Sequence, residues 1–175
     1  TKASASSSGS DPDQAAANDP ATSPESSASL PDLQPELITS PAQLTGLVER
    51  LMACRDPLAP VAVDTETSDL NPFKAQLVGV GVCWGSDLKD LAYIPVGHIA
   101  PAAPDGEDAA GEPEQLALDA VLQALAPWLA SNDHPKALQN AKYDRLILLR
   151  HGLTLGGVVM DTLLADYLRD AAAKH

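Results

Sequence analysis

The sequence predicts an α/β domain built on a mixed, five-stranded sheet flanked by helices. Three observations carry this. Short β-rich segments come first and alternate with helical patterns later, in the order βββαβαβα. The first three are joined by short loops, which suits an antiparallel meander. The last two are reached through helices, which suits strands parallel to the first.

Residues 1–38 of the 175 are mostly Ser, Ala, Pro, Asp and Glu. They offer little to bury and read as a disordered acidic linker. The folded part is expected over 39–175. Ser40 suits a helix N-cap and Pro41 the first helical position, and Leu44, Leu47, Val48 and Leu51 recur at helical spacing. Pro57 and Pro60 end that helix. Val61-Ala62-Val63-Asp64-Thr65-Glu66-Thr67 reads as the first strand.

Asn71-Pro72 marks a turn. Residues 76–84 form the second strand, with Val78, Val80 and Val82 on one face, and 91–96 the third. Residues 100–113 read as a polar loop, and 113–130 as an amphipathic helix. Residues 137–139 are a short strand and 141–151 a helix, with Gly152 ending it. Residues 158–160 are the last strand, and 162–173 the last helix.

Composition narrows the chemistry. A net charge of −13 excludes an autonomous basic nucleic-acid surface, so action on DNA or RNA needs metal ions or a basic partner domain. Cys54 and Cys83 lack metal-type spacing and read as reduced thiols of a cytoplasmic protein. No apolar run has the length of a membrane span, so no membrane partner is expected. Trp84 and Trp128 read as packing residues.

The strand at 61–67 holds the main chemical signal. Side chains alternate faces, so Asp64 and Glu66 point the same way, while Val61, Val63 and Thr65 point toward an apolar layer. Two adjacent like charges are unfavourable without a cation between them, and a hard divalent ion is the simplest one. Asp144 follows in the first turn of a helix, where the positive helix end favours its ionised form. If its strand lies beside the first, Asp144 reaches the same cavity. Three carboxylates on two elements suit two-metal phosphoryl chemistry, with ions about 4 Å apart. Asn140 stands where an N-cap belongs, and Asp161 reads as a helix cap. Lys142, Arg145, Asp166 and Asp170 read as surface charges.

Four ordered segments resemble a known family. Residues 63–70, Val-Asp-Thr-Glu-Thr-Ser-Asp-Leu, look like the first motif of the proofreading exonuclease domain of family A bacterial DNA polymerases. Tyr93-Ile94-Pro95-Val96-Gly97-His98, Gln139-Asn140-Ala141-Lys142-Tyr143-Asp144 and residues 161–168 are similar to later segments of that family. The Tyr-Ile-Pro-Val-Gly-His run separates it from RNase D-like exonucleases, which share the Asp-x-Glu and Asn-x-x-x-Asp patterns.

The resemblance implies a ribonuclease H-like fold and 3′→5′ hydrolysis of single-stranded DNA 3′ ends in replication and repair. Two Mg²⁺ or Mn²⁺ ions would be held by Asp64, Glu66 and Asp144. Leu70 would wedge against the terminal base, and Thr65, Thr67, Gln139, Asn140 and Tyr143 would line the strand groove. The expected partners are the DNA 3′ end and a polymerase domain on the same chain, in a monomer. The family's third motif, Tyr-x-x-x-Asp, would fall beyond His175, leaving the fold cut short at its C-terminal side and the isolated fragment incomplete. Lys174-His175 stands where the family has Arg-His, which weakens phosphate contact there. His98 reads as structural. The alternatives are an inactive scaffold domain of a polymerase and an RNase D-like RNA exonuclease.

Overall fold

A computed structural model describes residues 33–100 and 113–171. Residues 1–32 of the linker expected at 1–38, most of the polar loop and the chain end, with Lys174 and His175, lie outside these described residues, whereas 36–37 of that expected linker form a strand and Ile38 is buried in the core. Ten elements follow in order: β1 Glu36–Leu37, α1 Pro41–Ala53, β2 Val61–Thr67, β3 Leu77–Cys83, β4 Leu91–Pro95, α2 Leu118–Ala130, β5 Lys136–Leu138, α3 Ala141–Arg150, β6 Val158–Asp161 and α4 Thr162–Arg169.

The sheet has six strands, not five, in the order β1-β4-β3-β2-β5-β6. The added strand, β1, is two residues long and pairs parallel with β4. It has no periodicity of its own, and only a partner more than fifty residues away makes it a strand. The expected meander β2-β3-β4 is antiparallel, and β2-β5 and β5-β6 are parallel.

α1 starts as its sequence directs. Ser40 Oγ accepts from Gln43 N, and the Gln43 side chain returns to the Ser40 backbone N–H, completing a capping box. Gln43 Nε2 also donates to Leu37 O, tying α1 to β1. The Arg50–Glu36 ion pair and the Arg50 guanidinium over the Trp84 ring make a second tie.

One core joins the inward face of β2 to the helices. Val61, Val63 and Thr65 are buried while Ala62, Asp64 and Glu66 are exposed, the alternation expected of the strand. Leu47, Leu51, Val121, Leu125, Trp128, Leu129, Ile147 and Leu148 pack into the same cluster. Burying one such side chain contributes about 2 kcal/mol. Trp128 is a packing residue, as expected, and it also faces the ammonium of the fully buried Lys136, whose Nζ donates to Ser131 O and His134 O.

Three local expectations change. Val78 is left over between the pairs Glu66–Gly79 and Thr67–Leu77, so the strand bulges. Leu77, Val80 and Val82 are therefore the buried large side chains, and Val78 falls out of phase. α2 begins at Leu118 rather than at 113. Its N-cap, Ala117, has no capping oxygen, and Gln115 is used elsewhere, bonding both the N–H and the carbonyl of His98. α3 is not capped by the Asn140 side chain. Asn140 sits in the left-handed region at φ 58°, and the Asp161 carboxylate accepts from Asn140 N and Ala141 N instead.

Candidate active site

β2 and β5 pair only at Val61–Lys136 and Ala62–Ala137, then part. Beyond that point the N–H of Thr65 has no neighbouring strand on the β5 side, and Asp144 takes the place of a strand acceptor. Its Oδ1 receives Thr65 N at 3.1 Å and Thr65 Oγ1 at 2.7 Å. A cleft opens at the carboxyl ends of these two strands, where open α/β sheets place their ligands.

The cleft holds about 410 Å³ and is lined by Asp64, Thr65, Glu66, Thr67, Leu70, Gln139, Asn140, Tyr143 and Asp144. All nine residues that the sequence singled out therefore meet in one place. β2 contributes the first four by alternation and its bulge. The turn after β2 contributes Leu70, and the β5–α3 junction contributes the rest.

The roles inside the cleft differ. Asp64 and Glu66 are exposed, while Asp144 is buried and only 3% accessible. Burial, helped by the charge of Asp64, pushes the Asp144 carboxyl above the usual carboxylate range despite the two Thr65 hydrogen bonds, so the expected gain for its ionised form at the helix start is outweighed. Thr65 faces the core, as alternation required, and its hydroxyl is spent on Asp144. Both bonds to Asp144 fall on Oδ1 and leave Oδ2 out of them. Tyr143 Oη donates to Asp69 O at 2.6 Å and meets the Thr67 hydroxyl at 2.5 Å.

Asp161 supports this arrangement from below. Its carboxylate receives Asn140 N, Ala141 N, Leu163 N and Leu164 N, so one side chain caps both α3 and α4. Desolvation raises its carboxyl, but the four backbone donors outweigh that and hold it below the usual range. The sequence reading of Asp161 as a cap is right for α4. Its second helix, 20 residues earlier, carried no sequence signal. Tyr93 Oη meets His98 Nε2 at 2.8 Å, which agrees with the structural reading of His98. A Cβ on Gly79 would collide with that Tyr93 hydroxyl, so any larger residue there displaces the Tyr93 ring.

The donor chemistry fits a hard divalent cation, because three carboxylates line one cleft and no Lys or Arg pairs with them among the described residues. Their spacing does not close into a site. Among the described residues no three His, Cys, Asp or Glu side chains stand close enough to hold a metal ion.

The family model described as 3′-5′ exonuclease, of the DNA polymerase A type, matches residues 35–175. The chain belongs to this 3′-5′ exonuclease family. DNA polymerase I of Synechocystis sp. is 43% identical over 143 residues, which is 82% of this chain and 13% of the relative. This chain therefore spans about an eighth of that relative's length. Among solved structures, the POL domain of Pol1 from M. smegmatis, in complex with DNA primer-template and dNTP, superposes with TM-score 0.57 at 22% identity, covering 79% of this chain and 20% of that one. Escherichia coli RNase D, an exoribonuclease involved in structured RNA processing, superposes with TM-score 0.50 at 20% identity, covering 77% of this chain and 29% of that one. These two likenesses concern the fold, a ribonuclease H-like exonuclease architecture.

Proposed function

We propose that this chain supplies the metal-dependent 3′→5′ exonuclease site of a DNA polymerase I, removing nucleotides from single-stranded DNA 3′ ends. The observation that carries the reading is the cleft itself. A buried, Thr65-held Asp144 faces the same space as two exposed carboxylates aligned on β2.

Asp64, Glu66 and Asp144, which are not spaced to close on one ion in this structure, would have to draw together to hold divalent ions, and the bound ions would supply an activated water and offset charge at the leaving oxygen. The chain's own residues do the rest. Thr65 fixes the orientation of Asp144 through two hydrogen bonds, so its carboxylate is preorganised. Tyr143 and Thr67 bond each other and define one wall. Leu70, 94% exposed beside the cleft, presents an apolar side chain to a base that has left its stack. Gln139 and Asn140 offer amides to the strand.

A polymerase domain on the same chain would hold the duplex, which the acidic charge of this module makes necessary. No helix among the described residues is long and apolar enough to cross a membrane. Cys54 and Cys83 are free thiols, which goes with a reducing cytoplasm.

Asp64→Ala and Asp144→Asn in the full-length parent protein test the reading. Each should cut single-stranded DNA degradation by more than the about 100-fold typical of losing an outer-shell partner, with polymerisation intact. Surviving exonuclease activity in either variant would sink the assignment. Comparison of DNA and RNA 3′ ends separates it from an RNase D-like activity. A second reading, an inactive scaffold, is favoured by the open spacing of the carboxylates. Mn²⁺ binding by the parent protein that is lost in Asp144→Asn would exclude it.

A further inference from the structure

The loop between β2 and β3 combines two features that seldom go together. It exposes large apolar side chains, Leu70 at 94% and Phe73 at 70%. Its backbone is nonetheless held firmly. Asp69 Oδ1 accepts from Asn71 N, Asn71 Oδ1 accepts from Phe73 N, and Ser68 Oγ accepts from Gln76 N. From outside the loop, Tyr143 donates to Asp69 O, and Arg150 Nη1 donates to Pro72 O at 2.7 Å and Ala75 O at 2.6 Å.

Tyr143 and Arg150 lie seven residues apart on α3, two turns along one face. They grip the loop at both ends, with the two apolar side chains between the grips. Tyr143 lines the cleft, whereas Arg150 does not, and no carboxylate pairs with Arg150 among the described ion pairs. One guanidinium nitrogen committed to two loop carbonyls restrains the backbone by charge-assisted hydrogen bonds.

We propose that Arg150 is a positioning residue, which clamps loop 69–75 so that Leu70 and Phe73 form a rigid apolar prong selecting unpaired 3′ ends. An unpaired end exposes the base faces on which such a prong packs, and a paired end does not. Rigidity matters because a prong that is already ordered loses little entropy on binding. The inference rests on the exonuclease reading for its substrate, but the clamp itself does not.

The test uses Arg150→Ala and Arg150→Lys in the full-length parent protein, with hydrogen exchange and steady-state kinetics on the same samples. In Arg150→Ala, amides in 69–76 should exchange about tenfold faster, while α3 amides keep their rates. KM for a single-stranded 3′ end should rise about tenfold with kcat within about twofold, and the preference for unpaired over paired ends should fall. Arg150→Lys, which keeps the charge on a compact ammonium with a different reach, should lie between wild type and Arg150→Ala in both readouts. Unchanged exchange at 69–76 would overturn the clamp. Faster exchange with unchanged KM and end preference would overturn its role in selection. A wild-type protein with no cleavage of any 3′ end would overturn the exonuclease reading, with the exchange data still deciding the clamp.

Discussion

At the scale of single residues, the site depends on a few side chains in unusual surroundings. Asn140 holds a left-handed backbone at φ 58° without using its side chain as a cap. Asn140→Ala should cost about 1 kcal/mol from that backbone alone. Asn140→Gly should leave stability nearly unchanged. Denaturant unfolding of the pair checks this, and any activity lost in the glycine variant then belongs to the amide. Thr65→Val removes the 2.7 Å bond to Asp144 and keeps the backbone one. Activity should drop about tenfold, less than in Asp144→Asn.

Lys136 gives the pH signature, because burial lowers its ammonium from the ordinary 10.5 to about 8. The unfolded chain keeps that proton to higher pH, so stability should rise between about pH 8 and 10.5. Lys136→Met should flatten the rise, as measured by unfolding at pH 7 and 10.

Among the elements, junctions matter more than interiors. Asp161 caps α3 and α4 at once, so Asp161→Ala removes acceptors from two helix starts. The expected loss is about 2 kcal/mol, one cap's worth for each helix. Because its carboxyl lies below the usual range when folded, its contribution is present above that range and lost as the pH falls through the folded value. Thermal unfolding at pH 7 and pH 3 should therefore differ less in Asp161→Asn than in wild type.

The start of α1 was readable in advance because a capping box lies within four residues. The start of α2 was misplaced because Gln115 binds the His98 backbone instead of entering the helix. Val78 shows the same limit in a strand. Alternation put it on one face with Val80 and Val82, and a bulge opposite Glu66 and Thr67 took it out of phase with them.

Across the whole molecule, 11 Lys and Arg stand against 24 Asp and Glu, and the net charge of −13 opposes a polyanion. On the exonuclease reading, single-stranded DNA should bind the parent's exonuclease site better with Mg²⁺ than with Na⁺ at equal ionic strength. Retention of a labelled strand by a polymerase-silent parent protein measures this. Equal retention in both salts would mean that cleft ions do not mediate the contact.

The alternation of β2, the meander and the parallel crossovers were legible because they arise from period-two patterning and short connections. Asp64 and Glu66 on one face follow from the same geometry. Three-dimensional closure was needed for everything that joins distant residues. β1 exists only through β4, Asp144 meets Thr65 across 79 positions, Asp161 reaches back to α3, and Arg150 reaches the 69–75 loop. Such contacts leave no local trace, because a side chain that bonds a backbone far along the chain needs no particular neighbours in sequence. Residue types and their faces are local properties of a strand or helix, whereas their meeting in one cleft depends on where β2 and β5 part.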